Sequence, residues 1–280
     1  MSDSSVNDAQ AQFWTAAGTT WTEQRDNFDQ QANDHGLAAV DALAPTKGEF
    51  IIDIGCGAGT SSVQLAKRVG DSGRVSALDI SPTMIEGAET FAAGHGIDNI
   101  TFAVADAMFD DMGPDADCVY SRFGVMFFAD ATAGLANMRR ALRDGGRLSF
   151  VCWQSPKENP WASVPLSIAS NHVEMPFGTD PTAPGPFSLG DPDRLNAVLD
   201  DAEWSDVVLT SRQADLNLGD DLDEAIAFMT NLMPPLQALA KTHAEKFATF
   251  RSELSEALST WTTSEGVICP SATWIVTANK

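Results

Sequence analysis

Basic residues are scarce in this sequence, and their scarcity limits the partners that the protein can bind. Lysine and arginine together number 17 against 39 aspartates and glutamates, which gives a formal net charge of −22 at pH 7. A surface of this charge repels polyanions over most of its area. The composition therefore argues against nucleic acid as a partner. No acidic run is long enough to be a tail, so we interpret the acids as a solvated surface.

Cysteine is also rare and widely spaced. The four cysteines form no CxxC pair and no histidine-flanked cluster, so the sequence indicates neither a zinc site nor a disulfide framework, and no metal is expected. Three of them lie in or beside predicted strands, and we expect buried, reduced thiols. The four residues are Cys56, Cys118, Cys152 and Cys269.

Long apolar runs are missing as well. No apolar stretch approaches the roughly 18 residues of a membrane span, and residues 1–12 lack a basic region followed by an apolar run. We therefore expect a soluble, cytoplasmic protein, either a monomer or a homodimer. With 280 residues, 44% of them hydrophobic, the chain can bury a full core as one α/β domain with insertions.

The most informative segment that is present covers residues 51–62, IIDIGCGAGTSS. Its apolar, β-branched run ends in an acid, Asp53. The turn that follows has glycine at every second position, at Gly55, Gly57 and Gly59. Because only glycine lets a backbone turn this tightly and approach a ligand closely, the segment predicts a nucleotide-like cofactor. A dinucleotide fingerprint would place its third glycine at Thr60, so the spacing disfavours NAD and FAD.

Further short apolar strands are predicted after this turn. They cover residues 74–80, 101–105, 116–121 and 147–153. Asp79, at the tip of the first of these strands, is placed to accept both hydroxyls of a ribose, and Asp106 follows the next strand. Helices are predicted over residues 60–69, 82–93 and 131–142, each close enough to its strand for a right-handed crossover. The pattern predicts a series of consecutive βα units.

In this order the elements resemble a class I S-adenosylmethionine-dependent methyltransferase, in the small-molecule branch that includes ubiquinone/menaquinone C-methyltransferase-like enzymes. The resemblance is close over residues 45–155. It rests on DIGCGAG at 53–59, Asp79, Asp106, LRDGGRL at 142–148, FW at 13–14, AG at 17–18, Trp21, SRFGVMFFAD at 121–130 and CW at 152–153. It implies an α/β fold with a Rossmann-like, seven-stranded, mostly parallel sheet, an antiparallel last strand, helices on both faces and a helical cap.

The resemblance implies S-adenosylmethionine as the cofactor and S-adenosylhomocysteine as the product. Asp79 is implied as the ribose acid and Asp106 as the adenine contact. The complete set of implied cofactor contacts is Trp21, Asp53, Gly55, Cys56, Gly57, Gly59, Asp79, Ile80, Met84, Asp106, Ala107 and Ser121. Two alternatives stay open for Trp21: with Trp14 it covers the adenosine, or it fastens the N-terminal helices to the domain.

The acceptor is predicted to be a small, apolar or aromatic molecule. Methyl transfer from a sulfonium depends mainly on alignment and dehydration, so no catalytic triad is required. Aromatic and thioether side chains are suited to a flat apolar acceptor. The predicted acceptor contacts are Arg122, Phe123, Met126, Trp153, Met229 and Met233. The candidate catalytic groups are His35 and Arg122. His35 is alternatively a helix-end histidine. Two alternatives stay open for Arg122: a pocket role, in which it anchors an acid or the cofactor carboxylate, or a structural ion pair with one of the many acids.

The predicted organisation has three parts. They are an N-terminal helical cap at residues 1–44, a core S-adenosylmethionine-binding region at 45–155, and the rest of the same domain at 156–280, with lid insertions at 156–190 and 218–262. Helices are predicted at 8–17, 21–44, 161–172 and 192–201, and strands at 204–216 and 272–278. The second insertion is predicted to hold two helices separated by PP at 234–235, with His243 as a buried histidine in their apolar stripe.

Two other functions give different sequence patterns. A non-catalytic S-adenosylmethionine-binding or partner subunit of the same fold is expected to show erosion of the glycine turn or of Asp79, and both are intact here. A nucleic-acid methyltransferase is expected to have an Asn- or Asp-Pro-Pro-aromatic tip after the fourth strand. This chain has SRFG there, beginning at Ser121. The sequence therefore favours small-molecule methylation.

Overall fold

The computed structural model describes residues 3–174 and 180–280. The chain divides into two compact units. The first consists of Met1–Trp153, Thr182–Arg212 and Thr273–Lys280, and the second of Gln154–Pro181 and Gln213–Ala272. The predicted lid insertions, 156–190 and 218–262, overlap with the second unit, and the predicted cap at 1–44 lies in the first.

A mostly parallel sheet forms the centre of the first unit. Its strands are β1 (Phe50–Ile54), β2 (Arg74–Asp79), β3 (Ile100–Val104), β4 (Ala116–Arg122) and β5 (Leu142–Trp153), with β6 (Ser205–Asn217) and β8 (Gly266–Asn279) each continuing into the second unit. The order is β3-β2-β1-β4-β5-β8-β6. β8 runs antiparallel to β5, while β1 to β5 pair in parallel. The predicted fold, with its antiparallel last strand, is confirmed.

The buried strands explain why this part of the chain folds as it does. Ile51, Ile52 and Ile54 of β1 are all almost completely buried, as expected for a parallel strand that is covered on both faces. The helices of this unit are α1 (Asp3–Glu23), α2 (Arg25–Leu43), α3 (Thr60–Val69), α4 (Pro82–Gly94), α5 (Ala131–Ala141) and α7 (Pro192–Asp201). The four cysteines are free and buried, as predicted.

The N-terminal helices differ from the prediction. Residues 8–17 and 21–44 were the expected segments, but α1 runs unbroken from Asp3 to Glu23. Gly18, which follows the predicted first helix, lies inside α1, where the absence of a side chain lets α1 approach α4 closely. A Cβ on Gly18 would lie 2.8 Å from Cβ of Thr83. A Cβ on Gly87 of α4 would in turn lie 2.6 Å from Cγ2 of Thr22.

The second unit contains α6 (Pro160–Ser170), α8 (Leu222–Leu232), α9 (Pro234–Thr242), α10 (Ala244–Leu258) and the short strand β7 (Thr262–Thr263), which pairs with β8. The prediction of two helices after residue 218 is wrong, because the helix breaks again at His243. The backbone of His243 is non-helical, with φ −139° and ψ 66°. Its side chain is exposed, so the prediction of a buried core histidine is also wrong.

Among the described residues, no helix combines the length and the apolar character that crossing a membrane requires.

Candidate functional site

The glycine turn lies between β1 and α3, and two of its glycines serve different purposes. Gly59 has φ +92°, and a Cβ there would lie 2.9 Å from Cβ of Ala88 on α4, so close packing excludes a side chain. Gly57 has φ +53°, and a Cβ there would meet no atom within 4 Å. The space above Gly57 is therefore open, as a turn that receives a ligand requires.

Asp79, at the end of β2, is fixed against this turn. Its Oδ2 accepts the backbone N–H of Gly57 at 2.9 Å, and its Oδ1 accepts that of Ser81 at 2.9 Å. Burial raises the pKa of the carboxyl, although both backbone hydrogen bonds act in the opposite direction. Because each carboxylate oxygen has a second lone pair, Asp79 can accept further hydrogen bonds from a diol without releasing the turn.

Asp53, at the end of β1, is completely buried. Its Oδ2 accepts hydrogen bonds from the hydroxyls of Ser61 at 2.8 Å and Ser62 at 2.7 Å, both in the first turn of α3. Its Oδ1 is buried and accepts no hydrogen bond from the described residues. Burial raises the pKa of Asp53 to about 6 despite the two hydroxyl bonds. The group is thus predominantly a carboxylate at pH 7, with one oxygen still unpaired.

Arg122, the last residue of β4, forms an ion pair with α2. Its Nη2 donates to Oδ1 of Asp29 at 2.7 Å, and each side chain is 17% exposed. The hydroxyl of Thr60 donates to the other oxygen of Asp29. Gly36 of α2 makes room for the arginine, since a Cβ there would lie 2.6 Å from Cδ of Arg122. Of the two predicted alternatives, the ion pair is observed, and it leaves Nη1 buried without a hydrogen-bond partner among the described residues.

Asp106, the predicted adenine contact, follows β3 and is contacted by α1. Its Oδ2 accepts from the side-chain amide of Asn7 at 2.6 Å, and its Oδ1 accepts from the N–H of Met108 at 3.0 Å. Asn7 is 6% exposed. Sequence reasoning missed Asn7. The available signal was its spacing of seven residues from Trp14, which places both on one face of a helix.

Aromatic side chains connect the N-terminal helices to the strand ends. Trp14 meets Phe127 edge to face at 4.8 Å between ring centroids, and its carbonyl accepts from the hydroxyl of Ser81 at 3.2 Å. Trp21 lies between Trp14, at 5.7 Å, and Phe28, at 4.1 Å. Trp21 therefore contributes to the fastening of these helices, and its contact with adenosine stays a prediction.

The other implied cofactor contacts lie in the same unit, around the ends of β1, β2 and β4. The Ser121 hydroxyl donates to the carbonyl of Ile54 at 2.8 Å, which joins β4 to the start of the glycine turn. Cys56 is 3% exposed, and its N–H donates to the carbonyl of Leu78. The remaining members are Gly55, at the start of the turn, Ile80, directly after β2, Met84, buried in the first turn of α4, and Ala107, buried after β3.

A second group of predicted residues meets at the ends of β4 and β5. The rings of Phe123 and Trp153 stack at 4.5 Å with an interplanar angle of 15°. Met126 is buried, and its sulfur lies 3.4 Å from the backbone nitrogen of Trp153. Phe123 has φ +59°, an uncommon conformation for a bulky residue that is typical of functional sites. The structure therefore brings Arg122, Phe123, Met126 and Trp153 together.

His35 of α2 belongs to this group as well. It meets Trp153 edge to face at 5.5 Å, and its Nδ1 lies 2.9 Å from the hydroxyl of Thr273 on β8. Burial, together with the charge of Arg212, lowers the pKa of His35 to about 4. The imidazole is therefore neutral at pH 7. The prediction of a helix-end histidine is wrong, since α2 continues to Leu43.

The two other predicted acceptor contacts, Met229 and Met233, lie in the second unit. Met229 is buried in α8 and Met233 is 7% exposed directly after it. Their role stays a prediction.

The matched family model is described as a methyltransferase domain, and it covers residues 51–146. The aklanonic acid methyltransferase DauC of Streptomyces sp. strain C5 is 38% identical over 117 residues, 41% of this chain and 53% of that protein. The ubiquinone/menaquinone biosynthesis C-methyltransferase UbiE of Teredinibacter turnerae is 32% identical over 114 residues, 40% of this chain and 46% of that protein. The chain thus spans about half the length of these curated relatives.

Among solved structures, the YcgJ protein of Bacillus subtilis is similar with a TM-score of 0.59. The likeness covers 88% of this chain and 98% of that protein at 16% sequence identity. At this identity the likeness concerns the fold.

Proposed function

Because residues 51–146 form a methyltransferase domain of the class I, S-adenosylmethionine-dependent family, we propose that the protein methylates a small, apolar or aromatic acceptor by in-line transfer. The observation that carries the proposal is the hydrogen bond from Gly57 to Asp79. It joins an open glycine turn to an acid that is able to accept a ribose diol. The two parts of a nucleoside site are thereby held in one rigid arrangement.

The residues of the site fit S-adenosylmethionine. The open space above Gly57 admits a ligand next to the backbone, and Asp53 and Arg122 each have a buried polar atom without a partner among the described residues. Asp79 and Asp106 would hold the ribose and the adenine. When bound, the cofactor supplies a methyl group already activated on a sulfonium.

The chain contributes positioning and the exclusion of water. Alignment of two reacting groups supplies up to roughly 7 to 11 kcal/mol, which makes a covalent nucleophile unnecessary. The partly buried ring of Phe123, stacked on the buried ring of Trp153, and the buried side chain of Met126 limit the access of water to the ends of β4 and β5. A neutral imidazole at His35 is able to accept a proton from a hydroxyl acceptor. Its low pKa makes it a weak base, so it would serve only an acceptor whose hydroxyl is unusually acidic.

The acceptor class is supported by two independent observations. The predicted acceptor contacts at the end of β4 are flat or polarisable, which suits an aromatic molecule. The names of the relatives, an aklanonic acid methyltransferase and a ubiquinone/menaquinone biosynthesis C-methyltransferase, refer to small molecules, and the second name refers to quinones. Met229 and Met233 are proposed as further contacts. The proposal includes a cytoplasmic location and a monomeric or homodimeric state.

An acceptor panel tests this function. The protein is incubated with S-adenosylmethionine and a quinol, a phenol, an amine or a thiol, and the release of S-adenosylhomocysteine is measured by mass spectrometry. Release of S-adenosylhomocysteine that depends on a quinol or phenol supports the proposal. Phe123→Ala is expected to reduce this release, while the affinity for S-adenosylhomocysteine stays within about twofold. Tight cofactor binding without release for any acceptor class favours a non-catalytic subunit instead.

A further inference from the structure

Arg212 of β6 is a partly buried cation that is not paired with an acid. Its Nε is buried and has no hydrogen-bond partner among the described residues. Most other arginines form an ion pair, whereas Arg212 forms none within the part of the chain that the structure describes. This is unusual in a chain with 39 acids and 17 basic residues. A buried donor without a partner destabilises the fold, and a ligand can supply the partner.

The register between β6 and β8 fixes the position of Arg212. The N–H of Leu218, directly after β6, donates to the carbonyl of Val267 at 2.9 Å. Towards the other end of β6, Oδ2 of Asp206 accepts from the side-chain amide of Asn279 at 3.1 Å. The start of one strand thus lies beside the end of the other, so the two strands are antiparallel, and both contacts give the same register.

In this register Arg212 lies directly opposite Thr273, so the two side chains project from the same face of the sheet. The hydroxyl of Thr273 lies 2.9 Å from Nδ1 of His35 on that face. On β5, Thr273 pairs in register with Trp153, whose ring meets that of His35 at 5.5 Å. Trp153, Thr273 and Arg212 thus form one row across three neighbouring strands, next to the imidazole.

The electrostatics of His35 agree with this placement. Burial is the main cause of its lowered pKa, and the charge of Arg212 is the second cause. Because the interaction between two charges weakens with distance, the guanidinium is close enough to disfavour a second positive charge on the imidazole. The same guanidinium would favour a negative charge on a ligand bound beside His35.

A carboxylate is the anion that matches an arginine in geometry. The Nε–H and a neighbouring Nη–H of a guanidinium are parallel donors for its two oxygens. Since Arg212 is partly exposed on β6, the last strand of the sheet, a ligand can reach it from solvent. We propose that Arg212 binds a carboxylate of the acceptor, which is therefore an aromatic acid, with its reacting group beside His35. The inference rests on the proposed function and specifies the acceptor class.

The test compares two probes that differ only in the charged group, 3-hydroxy-2-naphthoate and 3-hydroxy-2-naphthamide. Both are flat phenols, and the hydroxyl lies on the carbon next to the carboxylate or amide, as the proximity of His35 and Arg212 requires. Each probe is titrated calorimetrically into the protein saturated with S-adenosylhomocysteine. We expect the wild type to bind the naphthoate at least about tenfold more tightly, the preference expected for a charge-assisted hydrogen-bond pair.

The variants separate the charge of Arg212 from its fork of donors. Arg212→Gln is expected to reduce the preference to within about twofold, and Arg212→Lys to leave an intermediate preference because lysine keeps the charge alone. The matched control is Arg139→Gln. Arg139 of α5 also has a buried Nε without a partner among the described residues, but it pairs with Glu203 at 3.8 Å. The control is expected to keep the full preference, and all three variants are expected to keep the affinity for S-adenosylhomocysteine.

Equal affinities of the wild type for the two probes would overturn the inference, as would binding of neither probe or a full preference in Arg212→Gln. If Arg212→Gln does not fold, a full preference in Arg212→Lys has the same consequence. A wild type that does not bind S-adenosylhomocysteine contradicts the proposed function itself. Binding of S-adenosylhomocysteine without a preference for the naphthoate contradicts only the inference about Arg212.

Discussion

The backbone N–H of Gly57 donates to the carboxylate of Asp79 over 2.9 Å, and this bond joins the turn after β1 to the tip of β2. The turn and the acid are 22 residues apart in the sequence. Since β1 and β2 pair in parallel, both features lie at the same edge of the sheet. Ligands of open α/β sheets bind at that edge.

Replacement of Asp79 by alanine is expected to weaken the binding of S-adenosylhomocysteine by about 1 to 3 kcal/mol, the usual cost of losing a charge-assisted hydrogen bond. Calorimetry measures the change. Asp98→Ala serves as the control, because Asp98 is exposed between α4 and β3 and is expected to leave the affinity unchanged. An unchanged affinity in Asp79→Ala would place the ribose elsewhere.

Gly57→Ala is expected to affect binding more than stability. The αL backbone at Gly57 costs an alanine about 1 to 2 kcal/mol, but the added Cβ enters open space. That space is the one proposed for the cofactor, so the affinity for S-adenosylhomocysteine is expected to fall at least about tenfold. Thermal unfolding and calorimetry together measure both effects.

Gly96 provides the matched control for this substitution. It has φ +64°, against +53° at Gly57, and a Cβ there also meets no atom within 4 Å. Gly96→Ala therefore carries a similar backbone strain in the loop between α4 and β3. We expect a similar loss of thermal stability and no loss of affinity. If Gly57→Ala and Gly96→Ala bind S-adenosylhomocysteine with equal affinity, the glycine turn does not contact the ligand.

Asp53 is expected to make the stability depend on pH in a direction opposite to that of an acid whose pKa is lowered by folding. Its pKa is raised from 3.8 to about 6 in the folded state, mainly by burial. The folded state therefore holds this proton more tightly, and the resulting stability is present at low pH and is lost between about pH 4 and pH 6. A shift of this size corresponds to about 3 kcal/mol.

Asp53→Asn isolates this effect from the many other acids. We expect the free energy of unfolding of the variant, relative to that of the wild type, to rise by about 3 kcal/mol from pH 4 to pH 7. Chemical denaturation at several pH values measures it, and Asp98→Asn gives the baseline. If the difference in the free energy of unfolding between Asp53→Asn and the wild type does not vary with pH, the pKa of Asp53 is not raised by folding.

The local features of the fold were predictable from the sequence. The bounds of α3 and α7 agree with the prediction to the residue, because the periodicity lies within each segment and the residues that mark its start lie directly before it. Asp191 illustrates this, since its side chain caps α7 by accepting from the N–H of Arg194. The glycine turn was equally evident, because its spacing is a property of a few consecutive residues.

Contacts between distant segments were not predictable in the same way. Asp29 and Arg122 are 93 residues apart, and only the packing of α2 against β4 brings them together. The contact of Asn7 with Asp106 spans 99 residues. The helix break at His243 was missed because the apolar stripe continues across it, so periodicity alone does not detect the interruption.

The most direct test of the central claim is a calorimetric titration of the unmodified protein with S-adenosylmethionine, S-adenosylhomocysteine and NADH. A glycine turn of this spacing, joined to Asp79 and followed by Asp106, is expected to bind both sulfur nucleosides with micromolar affinity and to show no binding of NADH. Binding of NADH with no binding of either sulfur nucleoside would contradict the assignment of the glycine turn, and with it the proposed methyl transfer.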